Sequence, residues 1–195
     1  MPPTFDHAID SIDGQRPPAV QWADFCQRLV GEIDPVVTAA LASSFREQDI
    51  VDLSEASRQW VPSGIPLIGI YLGLDTMNTS SGVNLEVGIH HSPDSEDPYA
   101  EWVYDDLSDR KEHLISGLAA MTSIYSQLDD EDLSSALDYT IPFAYGALIT
   151  GAAFKDWDQT RELVVGFGFH DGDLLRLIHK TGNTIDFNCR FDFEE

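Results

Sequence analysis

The residue types best suited to chemistry gather at one place, where His90 and His91 stand close to Asp94, Glu96 and Asp97. Two imidazoles beside three carboxylates hold a divalent metal when the side chains converge, and His90, His91 and Asp94 are the ligands such a site would use. Adjacent residues of a strand point to opposite faces, however, so His90 and His91 share an ion only if the strand ends between them. The spacing reads first as an acidic loop following a strand and second as a metal site.

The other constellations are weaker. His170 and Asp171 form an acid-base pair on paper, but Asp171-Gly172 is a turn signature, because glycine accepts positive φ, and no nucleophile lies nearby in sequence. Asp156, Asp158 and Thr160 begin like a calcium loop, yet the sixth position is Arg161 where glycine is needed and the twelfth is Phe167 where glutamate is needed. Cys26 and Cys189, the only thiols, fall in apolar rows and read as inert core. The chain has no Gly-x-Ser-x-Gly elbow, no phosphate-binding loop and no His-Glu-x-x-His helix, and Gly166 and Gly168 lack the third glycine of a dinucleotide fingerprint. No catalytic residue and no cofactor is expected, and the reading leans away from an enzyme.

Gly69, Tyr71, Gly73 and Asp75 share one side of an aliphatic segment. Missing side chains there leave a sheet face open to a ligand, to another backbone or to an overlying helix, with a structural filling favoured.

Charge is the loudest compositional signal. The 195 residues carry 34 acidic side chains against 11 basic ones, a formal charge of −23, with Lys111, Lys155 and Lys180 as the only lysines. Nucleic-acid binding runs on Lys and Arg displacing counterions, and no window here collects more than the adjacent pair Arg110 and Lys111, so direct DNA or RNA binding is excluded as an expectation. The acidity has three readings: attraction to a basic protein, cation binding, or adaptation to salt. A hydrophobic fraction of 43% supplies a core and argues against wholesale disorder. The first 18 residues lack a basic start and an apolar run, and the longest apolar stretch, Ile141 to Phe154, falls short of the roughly 20 residues of a membrane-spanning helix. With two cysteines and no disulfide pattern, a cytoplasmic location is expected.

These residues must be positioned by recognisable elements. Pro17 and Pro18 delimit an extended N-terminal arm over 1–18, followed by one domain over 19–195. Trp22, Cys26, Leu29 and Ile33 mark a first helical face, and Asp34-Pro35 opens a second helix with Val37, Leu41 and Phe45. Residues 46 to 65 read as a connector, with Ser54 and Glu55 able to open one short helix. Leu67 to Leu74 and Val83 to His91 read as a strand hairpin, the second strand alternating Val83, Leu85, Val87 and Ile89 against Asn84, Glu86, Gly88 and His90. Ser108 is expected to cap a long helix through Leu114, Leu118, Met121, Tyr125 and Leu128, with Asp105, Asp106 and Asp109 at its start. A short helix over Leu133 to Leu137, a buried helix opening at Pro142, and a meander of Leu163–Phe169, Leu174–Lys180 and Thr184–Phe193 complete the chain. In the last strand Ile185, Phe187, Cys189, Phe191 and Phe193 form the inward row.

The fold class that follows is α+β: a mainly antiparallel sheet, made of the hairpin and the meander, covered by helices in a single domain. The functional expectation is a non-enzymatic module that binds a basic protein through Asp94, Glu96, Asp97, Glu101, Asp105 and Asp106, with Trp102 and Tyr104 as aromatic anchors or, equally, as core residues. Small acidic cytosolic inhibitors, including immunity proteins that neutralise bacterial toxins, have this general character; the likeness is one of composition and size. The alternatives are a metal-dependent hydrolase or small-ligand binder using the His90/His91 region, and a salt-adapted acidic domain.

Overall fold

The computed structural model describes residues 5–31, 34–61, 64–75, 83–104, 108–126, 131–158, 160–169 and 174–189. The chain is α+β, and the described residues form six helices and a six-stranded mixed sheet, mostly antiparallel.

The helices are α1 (Phe5–Ile9), α2 (Pro18–Val30), α3 (Pro35–Ser43), α4 (Glu47–Trp60), α5 (Gly117–Tyr125) and α6 (Glu131–Phe154). The strands are β1 (Leu67–Leu74), β2 (Val83–His90), β3 (Ser108–Ile115), β4 (Glu162–Phe169), β5 (Leu174–Thr181) and β6 (Thr184–Phe187). Their order across the sheet is β3-β2-β1-β4-β5-β6. Among the described residues only the central pair, β1 with β4, runs parallel, reached by the crossover through α5 and α6.

One face of the sheet carries Ile68, Ile70, Leu72 and Leu74 of β1 beside Leu163, Val165, Phe167 and Phe169 of β4, all buried in one cluster with the helices. The other face is glycine-rich: Gly69 lies beside Val164, Tyr71 beside Gly166, and Gly73 beside Gly168. A short 3-10 turn, Glu101–Tyr104, and the segment leading into it cover that second face, where Tyr71, Ala100, Trp102, Val103, Val164 and Leu174 form a smaller cluster.

Several expectations need correction. Residues 5–9 are helical where an extended arm was expected, and Ala8, Ile9 and Ile12 are core residues; Gln21 ties the arm down by accepting from the Asp13 and Gly14 amides and donating to the Arg16 carbonyl. Residues 47–60 form a full helix instead of a connector. Its inward residues, Asp49, Leu53 and Ser57, keep a helical step of four, but two are polar and so register as no apolar stripe. The helix expected from Ser108 is a strand as far as Ile115, and the helix begins only at Gly117. Asp109 therefore lies in a strand and not at a helix N-terminus, while Asp105 and Asp106 fall outside the described residues. The pairing of β3 with β2 overrides the local spacing, and Leu114 is exposed as a result.

The two helices expected around residues 133 and 142 are one, with Pro142 inside it. At the end of the chain β6 stops at Phe187, and Ile185 is exposed instead of inward; Cys189 is buried, 3.1 Å from the Ile12 carbonyl, and Phe191 and Phe193 lie outside the described residues. Asp34 caps α3 as expected, its carboxylate accepting from the Val36 and Val37 amides at 2.9 and 3.0 Å.

Candidate functional site

The acidic segment after β2 is a clamped cover. Pro93 and Trp102 pack on Gly69 so closely that a Cβ on Gly69 would lie 2.8 Å from Trp102 and 2.9 Å from Pro93; a Cβ on Gly166 would lie 3.0 Å from both Ala100 and Val103. Gly69 and Gly166 thus leave room for this segment's own side chains, whereas Gly73 leaves room for Tyr71. From the sheet side, Arg176 of β5 donates its amide to the Pro98 carbonyl at 2.8 Å and its guanidinium to the Ser95 carbonyl.

Within the segment Asp94 accepts from the Glu96 amide at 3.0 Å, and Asp97 accepts from the Tyr99 amide at 2.9 Å and from the Glu101 amide. These self-contained turns hold Ala100 at φ +53°, where a Cβ is disfavoured by roughly 1–2 kcal/mol. Backbone held in such a region is overdetermined by its surroundings.

Clamping sorts the side chains. Pro93, Ala100, Trp102 and Val103 go inward; Asp94, Glu96, Tyr99, Glu101 and Tyr104 go to solvent, with Asp97 half-buried. Trp102, read from the sequence as either an aromatic anchor or a core residue, is only 4% exposed and packs on Gly69; Tyr104, at 70%, is open. Residues 92–104 hold four carboxylates and no basic side chain. The structure gathers Asp94, Glu96, Asp97, Glu101, Trp102 and Tyr104 into one segment, as the chain order requires.

The histidines are not brought together as ligands. His90 ends β2 with its ring 5.6 Å from that of Trp102 and its Nδ1 accepting from the Ser92 amide at 3.2 Å, while His91 lies beyond the strand end. Among the described residues no group of three His, Cys, Asp or Glu side chains is arranged to hold a metal ion. His170, Asp171 and Asp173 lie outside the described residues. Among the described residues no helix is long and apolar enough to cross a membrane. No protein-family model, curated protein or solved structure matches this chain.

A second polar centre, on the helical side, was not visible in the sequence. Asp49 of α4 is only 2% exposed, and its carboxylate accepts from the Ser116 hydroxyl at 2.9 Å, the Gly117 amide at 3.0 Å and the Tyr145 hydroxyl at 2.9 Å. It thereby caps α5 from another helix, and Gly117 is required because a Cβ there would lie 2.6 Å from both Asp49 and Tyr145. Burial, followed by the neighbouring Asp49 carboxylate, pushes the Tyr145 hydroxyl well above its ordinary pKa, so it stays a proton donor. Burial likewise raises the Cys26 thiol and leaves it unreactive. With three donors on one buried carboxylate, this centre joins α4, α5 and α6; the single sequence clue is an acidic residue on an inward helical position.

Proposed function

We propose that this chain recognises a basic protein partner through the 92–104 segment, as a binding or inhibitory module of the toxin-immunity kind. The observation that carries the reading is the division of labour in that segment: apolar residues fasten it to a glycine-lined sheet face, while Asp94, Glu96, Glu101, Tyr99 and Tyr104 stand outward. A surface already fastened loses little conformational freedom on binding. Uncompensated carboxylates speed and orient the approach of a cationic partner, and tyrosines supply contact area with a polar tip. Asp105 and Asp106 extend the acidic run in sequence.

The test is capture from host lysate at low and at high salt, using the parent chain, a neutralised variant (Asp94→Asn, Glu96→Gln and Glu101→Gln together) and Tyr104→Ala. A partner held at low salt, released as salt rises and lost from both variants is expected. Capture that is insensitive to salt and to the substitutions overturns the proposal, and no capture at all favours acidity that serves salt tolerance.

A further inference from the structure

Charge is spread unevenly along this chain. In a sequence that is 23% charged, two runs, 35–45 and 114–128, hold no Asp, Glu, Lys or Arg. The first contains α3 and the second α5, and the two helices pack on each other. A surface helix ordinarily turns charged residues to water. Here α3 turns out Val36, Ala39 and Ser43, with Ala40 half-buried among them, and Val36 is 77% exposed. Val36, Ala40 and Ser43 stand four and three residues apart and so share one face of the helix. On α5, Ser123 is exposed and Ala119 and Ala120 are half-buried, so the neighbouring helix adds no charge of its own.

The ends of the α3 stripe carry opposite charges. Asp34 precedes the helix; its Oδ1 accepts from the Val36 and Val37 amides, and its Oδ2 has no hydrogen-bond partner among the described residues. Arg46 follows the helix, is exposed, and reaches the Ser116 hydroxyl with Nη1 at 3.4 Å, the long end of a hydrogen bond. Glu47, next in the chain, lies in the first turn of α4, where the helix dipole accommodates its charge.

Asp34 and Arg46 lie symmetrically about Ala40, at equal distances along the sequence. When two α3 helices meet antiparallel on a twofold axis at Ala40, Asp34 of each copy comes level with Arg46 of the other, roughly 9 Å along the helix from the axis. The two helix dipoles then run in opposite senses, and the small side chains of Ala39, Ala40 and Ser43 let the helix axes approach to about 8 Å. Charge also selects the partner. Two chains of −23 repel each other wherever carboxylates face carboxylates, and an uncharged stripe with one charge of each sign at its ends lets them meet without that opposition.

We propose that α3 is the twofold contact of a homodimer, packed antiparallel on α3 of a second copy about Ala40 and closed at each end by Asp34 with Arg46. Two nine-residue helices make a contact at the small end of specific interfaces, so the dimer is weak and forms as concentration rises.

The test is sedimentation velocity on the full chain over a concentration series up to about 1 mM, at low and at high sodium chloride. A monomer–dimer equilibrium that strengthens with salt is expected, because screening removes the repulsion between two anionic chains. Capture of a basic partner weakens with salt, so the two readings fail separately. Arg46→Glu, an exposed change, is expected to weaken dimerisation by about tenfold or more, as two opposite-charge pairs become two like-charge pairs. Ala40→Glu, which sets a carboxylate against its own copy on the axis, should abolish it. Ala40→Cys should give a disulfide-linked dimer under mild oxidation, since a residue on the axis meets its own copy and the native thiols of Cys26 and Cys189 are buried; Val51→Cys, at a position 45% exposed on α4, should not. A chain that stays monomeric at every concentration and salt, a dimer that Arg46→Glu and Ala40→Glu leave unchanged, or crosslinking no faster from Ala40→Cys than from Val51→Cys overturns the proposal.

Discussion

The two faces of the sheet are covered in opposite ways. On the helical face, branched and aromatic side chains such as Ile70, Leu72, Val165 and Phe167 fill the distance to a layer of helices, and a buried carboxylate, Asp49, accepts from three donors. On the other face, Gly69 and Gly166 let a single segment lie almost on the backbone, held by Pro93, Ala100, Trp102 and Val103. A thick cover needs large side chains from both layers. A thin one is held by a few residues and leaves the rest of its side chains for the solvent, which is why Asp94, Glu96 and Glu101 are exposed there.

Substitutions should separate the faces. The largest effect is expected from Asp49→Ala, which strips the acceptor from two buried donors and one half-buried donor and should lower stability by about 3 kcal/mol or more in urea unfolding, with the Trp102 indole resonance unmoved. Gly69→Ala comes next, at about 1–3 kcal/mol, because the new Cβ must displace Trp102 or Pro93. Hydrogen exchange should then quicken in residues 92–104 and stay slow in β1 and β4. Equal loss of protection on both faces would show that the cover and the helical core unfold as one unit.

A smaller effect is expected from pH. His113 of β3 packs edge-on against Trp60, ring centroids 5.7 Å apart, and burial lowers its pKa from the ordinary 6.5, with Asp52 and then Asp49 opposing. The unfolded chain then binds the proton more readily than the folded one. The contribution of His113 is complete above pH 6.5 and is lost as pH falls through its lower folded value. Urea midpoints measured across that window should decline toward acid in the parent and decline less in His113→Gln. The smallest effect on stability belongs to Tyr104→Ala, within about 0.5 kcal/mol, since the ring is exposed; its effect should appear only in partner capture.

Where the apolar period was local and clean, the elements were legible: Trp22, Cys26 and Leu29 on α2, the Asp34 cap of α3, and the alternation of Val83, Leu85, Val87 and Ile89 on β2. Where the inward stripe was polar, as in α4, or where a charged stretch such as Ser108 to His113 took its conformation from a neighbouring strand, local spacing pointed elsewhere. The acidic segment could be named from its composition. Which of its aromatic residues faced outward could not, because Trp102 and Tyr104 differ only in what lies beneath them.

By itself the sequence determined the charge and the α+β class, since these follow from residue counts and from periods that each segment carries within itself. Tertiary structure alone decided that Asp49 caps a helix distant in sequence and that Gly69 seats Trp102. Each depends on the separation of groups far apart along the chain, and a separation in space is set by packing and not by the order of residues.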